Sequence, residues 1–296
     1  MNERNTRAKA GKWAKSASPY CDVAVLEQFE STIRSTDVFL STFPKCGTTL
    51  VQNLLYQLRE GGDPNLDCIY NHVPWLGYPV DGVSAEERLK HYAELKDPRI
   101  FKLHLGFEEC PYSETAKYIT CSRDPRDGVV SLFYHELHVN REYMKVRAKL
   151  HGFPLQRVIE HLSEFVESWL EHGNYWKFLN SWWPHCNDPN VLWLRFEDLS
   201  SDLRAQVKRV TDFLGWNLSP RTIEERILPL LDFGWMKQNE HRFLMDNGKT
   251  FLGPFFRKGK VDRGKSSLSS QQQTAVLKAA RQNLAKECFE HVVGPP

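Results

Sequence analysis

The 296-residue chain contains no run of about 18 apolar residues, so nothing in it reads as a membrane-spanning helix. It also lacks an excess of charge of either sign: 39 Lys+Arg stand against 37 Asp+Glu, a formal net charge of +2. That balance gives no reason to expect a nucleic-acid partner or a strong pull toward an anionic membrane, and any basic patch has to be local. The seven cysteines are odd in number and show no CxxC or Cys/His ligand spacing. A disulfide framework and a structural zinc site are therefore disfavoured, and free thiols in a reducing, cytoplasmic setting are the simplest reading. The N-terminal "MNERNTRAKAGKWAKSAS" has no apolar core and is not a secretory signal. Residues 1–20 read as a disordered tail, with a transit peptide as the alternative, and residues 21–296 as one domain. No internal repeat and no low-complexity linker occurs.

What is present is an apolar fraction of 41%, enough to bury a sizeable core. Short runs rich in β-branched and aromatic residues read as strands: "DVFLSTF" (37–43), "RIFKLHL" (99–105), "KYITCS" (117–122) and "NVLWLRF" (190–196). After Gly47, Leu50, Leu54 and Leu58 recur every four residues with Val51 and Leu55 beside them, one apolar helix face that Gly61-Gly62 stops. Residues 125–138, 155–183 and 198–214 also read as helices. Strands alternating with helices predict an α/β domain with a central, mostly parallel sheet flanked by helices.

The stretch "STFPKCGTTL" lies between the first strand and its helix, a P-loop-like strand-turn-helix. Such a turn exposes a helix N-terminus at the sheet's carboxyl edge, where unpaired N–H groups and the helix dipole attract anions. Gly47 permits close backbone approach, Lys45 brings a mobile charge, and Thr48 and Thr49 bring hydroxyls. The lysine precedes the glycine, unlike the GxxxxGK[ST] order. A phosphate site and a plain helix cap with a surface lysine both fit this stretch alone. Cys46 reads either as a thiol activated by the helix N-terminus or as a small residue filling a tight turn. Lys102 and His104 end the second strand run, and Arg123 ends the third, with Pro125 placed as a first-turn proline. Ligands of open α/β sheets bind beyond the strands' carboxyl ends, so Lys45, Lys102, His104 and Arg123 are expected to converge there. Ser131 falls about two turns along the following helix, within reach of the same phosphate as Arg123. A late basic loop, "FFRKGKVDRGK" (255–265), is either a solvated charge run or a cover anchored by Phe255-Phe256.

Together these segments resemble the cytosolic sulfotransferases, from about residue 25 to about residue 265. "STFPKCGTTL" resembles that family's 5′-phosphosulfate loop TYPKSGTTW, and "FKLHLG" its KTH motif. "CSRDPRDGVVSLFYH" resembles RNPKDVAVSYYH, "VLWLRFEDL" resembles VLYLxYEDM, and "RKGKV" resembles the RKGxxG loop. The resemblance implies 3′-phosphoadenosine 5′-phosphosulfate (PAPS) as donor, adenosine 3′,5′-bisphosphate (PAP) as product, and no metal. It implies that Lys45, Cys46, Gly47, Thr48 and Thr49 hold the 5′-phosphosulfate, and that Arg123, Ser131, Arg257, Lys258 and Gly259 hold the 3′-phosphate. Phe196 and Phe233 would lie near the adenine, and His104 would act as general base with Lys45 and Lys102 stabilising the leaving oxygen. Trp75 and Phe133 are offered equally as acceptor-pocket residues and as core aromatics.

The departures are specific. The family's loop-ending Trp is Leu50 here, its YED tyrosine is Phe196, and Asp262-Arg263-Gly264 stands in place of Gly-Asp-Trp. "KSSLSSQQQT", from Lys265, does not match the family's dimer motif, which leaves the oligomeric state open. The function expected is sulfuryl transfer to a hydroxyl or amine of a small molecule. Two alternatives stand beside it: a nucleotide-binding protein without catalysis, and a small-molecule kinase. The kinase would need a magnesium carboxylate, for which Glu197-Asp198 is the candidate, although capping of a helix at 198 explains Asp198 equally.

Overall fold

The computed structural model describes residues 20–294 except 156, 258 and 260. Its centre is a parallel sheet of β1 (Val38–Ser41), β2 (Ile100–Leu103), β3 (Lys117–Ser122) and β4 (Val191–Arg195), in the spatial order β2-β1-β3-β4. The register pairs Val38 with Ile100 on one side of β1 and with Lys117 on the other. Each strand matches its expected run, trimmed by one or two residues at the ends except β3, which matches throughout.

Strand alternation divides the core into two layers. Phe39, Phe101, Tyr118 and Trp193 face one way, toward α1 (Val23–Glu30) and the later helices of that face. Val38, Leu40, Ile100, Ile119 and Leu194 face the other way, toward α2 (Thr48–Glu60). The Leu50-Leu54-Leu58 face of α2 forms as its spacing predicts, and Gly61, at φ +66°, ends the helix in the left-handed conformation. A capping box of Ser84 and Glu87 starts α3 (Ala85–Glu94). Asp124 caps α4 (Pro125–Leu137), accepting from the Arg126 N–H at 2.8 Å, and Pro125 is its first residue. Then come α5 (Arg141–His151), α6 (Leu162–His172) and α7 (Asn174–Trp182).

The single helix expected over 155–183 is two. Its first residues are not helical, because Gly152 ends α5 with φ +73° and Pro154 disfavours a helical residue before it. Gly173, at φ +60°, then separates α6 from α7. The helix expected over 198–214 is also broken. A short helical turn covers Phe196–Ser201, and Asp202 caps α8 (Leu203–Leu214) by accepting from the Ala205 N–H at 3.0 Å. Asp198 therefore caps nothing: it lies inside the turn, with Oδ1 3.4 Å from Arg195. The chain closes with α9 (Ser270–Asn283) and α10 (Lys286–Val293), α9 packing on α4 and α6 around Val129, Val130, Val166 and Val276. Among the described residues no helix is long and apolar enough to cross a membrane.

This order makes one α/β domain with a switch point. From β1 the chain goes to one neighbour, β2, and then crosses to the other, β3. Loops leaving β1 and β3 at their carboxyl ends therefore diverge and leave a crevice between them.

Candidate active site

All four strands deliver a named residue to this edge. The turn after β1 carries Lys45 and Gly47, His104 follows β2, Arg123 follows β3, and Phe196 follows β4. Arg123 spans the crevice, donating from Nη1 to the Lys45 carbonyl at 3.2 Å, while its guanidinium lies 4.2 Å over the Phe196 ring. Gly47 is required twice: its φ is +89°, and a Cβ there would meet the Phe196 ring at 2.9 Å. Lys45 also has positive φ, +69°, and the turn points Lys45 and Gly47 into the crevice while Cys46 turns into the core.

A cavity of about 1760 Å³ lies over this edge. It is lined by Lys45, Gly47, Thr48, Thr49, Lys102 and His104 at the centre. Arg123, Ser131, Phe196, Phe233, Arg257 and Gly259 line it on the flank of β3 and α4. Residues scattered over more than two hundred positions thus share one chamber. Lys258 lies outside the described residues. Gly259, at φ +56°, packs so closely on Phe233 that a Cβ would sit 2.2 Å from its ring. Leu50, in place of the family's tryptophan, lines the cavity as well.

Two candidates fall outside the lining. The Cys46 thiol is fully buried in the core and pushed up to about 12, first by burial, so it stays protonated. Its N–H closes the turn on the Phe43 carbonyl at 3.2 Å, which assigns it to turn packing rather than thiol chemistry. Phe133 is buried against Phe165 of α6, with centroids 5.5 Å apart, and does not line the chamber. Trp75 does line it.

The buried cations set the electrostatics. Burial, then repulsion from Arg123, brings Lys45 down to about 8, with Arg257 adding to it and Glu136 opposing. Burial, then Lys45, brings Lys102 to about 7. The Lys102 amine rests 3.9 Å over the Trp75 ring and donates to the Tyr70 hydroxyl at 3.3 Å. His104 is lowered to about 3, first by burial and then by Lys102. Its neutral imidazole has Nδ1 2.7 Å from the Thr42 carbonyl. A carbonyl only accepts, so Nδ1 carries the hydrogen and Nε2 keeps its lone pair. Basic groups this depressed are stabilised by anionic atoms in their midst, and a cradle that a Cβ would fill suits a phosphate.

His135 went unnoticed in the sequence. Its Nδ1 is 3.3 Å from the Lys45 Nζ, and Phe255 packs against both. It lies four residues beyond Ser131 on the same helix face, a spacing that could have flagged it. Tyr70 had no such signal. The late segment is anchored as its aromatics suggested: Phe255 packs in a cluster with Phe251 and Phe256, tilted against one and edge-on to the other, and the Arg257 guanidinium lies 4.0 Å over Tyr134 of α4. Gly264 then returns to the start of α4, its N–H donating to Asp127 Oδ1 at 2.5 Å, where a Cβ would meet the Arg126 backbone at 2.5 Å. In the Glu197-Asp198 pair, Glu197 Oε1 accepts the Asp124 N–H at 2.9 Å, Oε2 is buried without a hydrogen-bond partner among the described residues, and Asp198 pairs with Arg195.

The model of the sulfotransferase domain matches residues 35–287, most of the chain. The chain belongs to the sulfotransferase family. Among its relatives, human sulfotransferase 1E1 is 31% identical over 246 residues, covering 79% of this chain and 78% of that protein. Mouse sulfotransferase 4A1 is 30% identical over 215 residues, covering 71% and 70%. Mouse sulfotransferase SULT7A1, solved in complex with PAP, shares the fold with a TM-score of 0.69 at 22% identity, over 93% of this chain and 94% of that one. A retinol dehydratase solved with androsterone and PAP gives the same TM-score and identity, over 90% and 86%. By class this sulfotransferase is a PAPS-dependent enzyme.

Proposed function

We propose that this sulfotransferase moves the sulfuryl group of PAPS to a hydroxyl or amine of an apolar small molecule, with His104 as general base. The observation that carries the reading is the convergence of Lys45, Lys102 and an imidazole with a free Nε2 in one buried chamber. The bound donor would supply an activated sulfuryl group and a bisphosphate leaving group.

The residues divide the work by position. Backbone groups at Gly47, Thr48 and Thr49 open α2 and suit the phosphosulfate end. Arg123, Ser131 and Arg257 suit the remote 3′-phosphate, with Lys258 assigned there by the resemblance. Phe196 and Phe233 offer rings to the adenine. Lys45 and Lys102 would neutralise the charge developing on the leaving oxygen as preorganised groups, without reorganisation of solvent. Thr42 fixes the His104 tautomer, so Nε2 keeps the lone pair that would take an acceptor's proton. With anionic oxygens at Lys45 and Lys102, the repulsion on His104 is offset and its basicity rises. The rest of the chamber, with Trp75, Tyr78, Met144, Phe153, Met245 and Phe251, suits an apolar acceptor.

Turnover of labelled PAPS with a panel of phenols, alcohols and amines tests this. His104→Gln is expected to lose roughly 100-fold or more in turnover, with PAP affinity by calorimetry within about twofold of wild type. Undiminished turnover would remove His104 from the role, and wild-type protein that does not bind PAP would remove the donor reading.

A further inference from the structure

Arg147, on α5, is fully buried yet does not line the chamber. Its guanidinium is shared among segments distant in sequence. Nη1 donates to the Tyr78 hydroxyl at 2.5 Å and lies 3.3 Å from Asp246 Oδ2. Nε meets Asp81 Oδ1 at 3.1 Å, and Nη2 donates to the Pro79 carbonyl at 2.5 Å. A buried guanidinium is tolerated when its fork of donors is used in this way, and a lysine could not reproduce the geometry.

Tyr78 carries the contact inward. Its ring lies 4.7 Å below the guanidinium and stacks on Trp75, with centroids 4.3 Å apart and planes at 19°. Trp75 meets the His104 ring edge to face at 4.9 Å and supports the Lys102 amine at 3.9 Å. It is also tied to β2 by the backbone: Lys102 N–H donates to the Pro74 carbonyl at 2.9 Å, and Leu76 N–H to the Lys102 carbonyl at 3.0 Å. The contact is therefore continuous from the outer helix to the end of β2.

We propose that Arg147 is a positioning residue for sulfuryl transfer, clamping the acceptor-side roof and, through Tyr78 and Trp75, fixing the His104 imidazole and the Lys102 amine. The inference rests on the reading of those two as reacting groups. Thr42 restrains His104 at Nδ1; the perpendicular contact with Trp75 supplies a second restraint on the ring plane. A small rotation of that plane would move Nε2 away from an acceptor proton, a loss to which transfer geometry is sensitive.

The test uses the full chain with isotope-labelled histidine, without donor. The His104 imidazole signals are assigned by their loss in His104→Gln. Arg147→Lys breaks the fork, and Tyr78→Phe keeps the ring but removes the hydroxyl that Arg147 grips. Both variants are expected to shift or broaden the His104 signals while PAP affinity by calorimetry stays within about twofold. His104 signals unmoved in folded variants would overturn the proposal, as would a loss of PAP affinity beyond that range, which would mark a general structural role. Should Arg147→Lys fail to fold, Tyr78→Phe carries the same readout. The failures are separable: a His104→Gln protein that turns over normally sinks the base reading, whereas the signal shift depends only on the clamp.

Discussion

Helices α2 and α5 flank the same chamber and are held in opposite ways. α2 has most of its length buried, from Thr48 and Val51 through Leu58, and the tight turn over residues 42–47 joins it to β1. On α5, Arg147 is the buried residue, while Val146 and Leu150 are 64% and 62% exposed. The side proposed for the donor is thus built into the sheet, whereas the roof proposed for the acceptor is held by polar contacts, with Arg147, Tyr143 and His151 all reaching Asp81 and Asn140 reaching Lys249 and Thr250. A site that must recognise one nucleotide benefits from rigid backbone donors, and a roof with few buried contacts opens at low cost.

The comparison can be broken most forcefully at the donor side. Gly47→Ala puts a methyl against Phe196 at a positive φ, and is expected to destabilise the fold by about 2–3 kcal/mol. PAP affinity should fall at least tenfold, and a thermal melt with calorimetry checks both; wild-type behaviour would mean that the turn is not rigid. A second expectation concerns protons. Lys102 at about 7 and Lys45 at about 8 lie below the ordinary lysine value, so the empty site loses protons as pH rises through that window. Lys102 faces Lys45, and Lys45 faces Arg123, Arg257 and Glu136. An anion favours both charged forms, so binding takes up protons and PAP affinity falls as pH rises, by roughly tenfold between pH 7 and 9. Calorimetry in buffers of different ionisation enthalpy reads the uptake; a flat profile would refute it. The smallest effect is expected at Phe133→Leu, costing about 1 kcal/mol of stability with PAP binding unchanged, because that ring faces α6 rather than the chamber. A large kinetic effect there would blur the boundary between core and site.

The sequence was most legible where local rules act. β3 runs over the residues expected, the Leu50-Leu54-Leu58 stripe forms one face of α2, and Pro125 opens α4 behind an Asp124 cap. It was least legible where glycines and a capping aspartate cut long helical runs, at Gly173 and Asp202, since periodicity survives such breaks. Among site residues, Lys45, Gly47, Lys102, His104 and Arg123 sit at strand ends, which the α/β pattern brings to one edge. Cys46 and Phe133 adjoin site residues, but helix and turn geometry aim their side chains into the core.

By itself the sequence determined the strand-turn-helix units and the charge each strand carries to its carboxyl end, because hydrophobic period, caps and turn residues act over a few neighbouring positions. Only the tertiary structure decided that Phe196 lies under Gly47, that His135 meets Lys45, and that Arg147 grips Tyr78 from 69 positions away. Such pairs follow from how helices pack over the sheet, which no local spacing encodes.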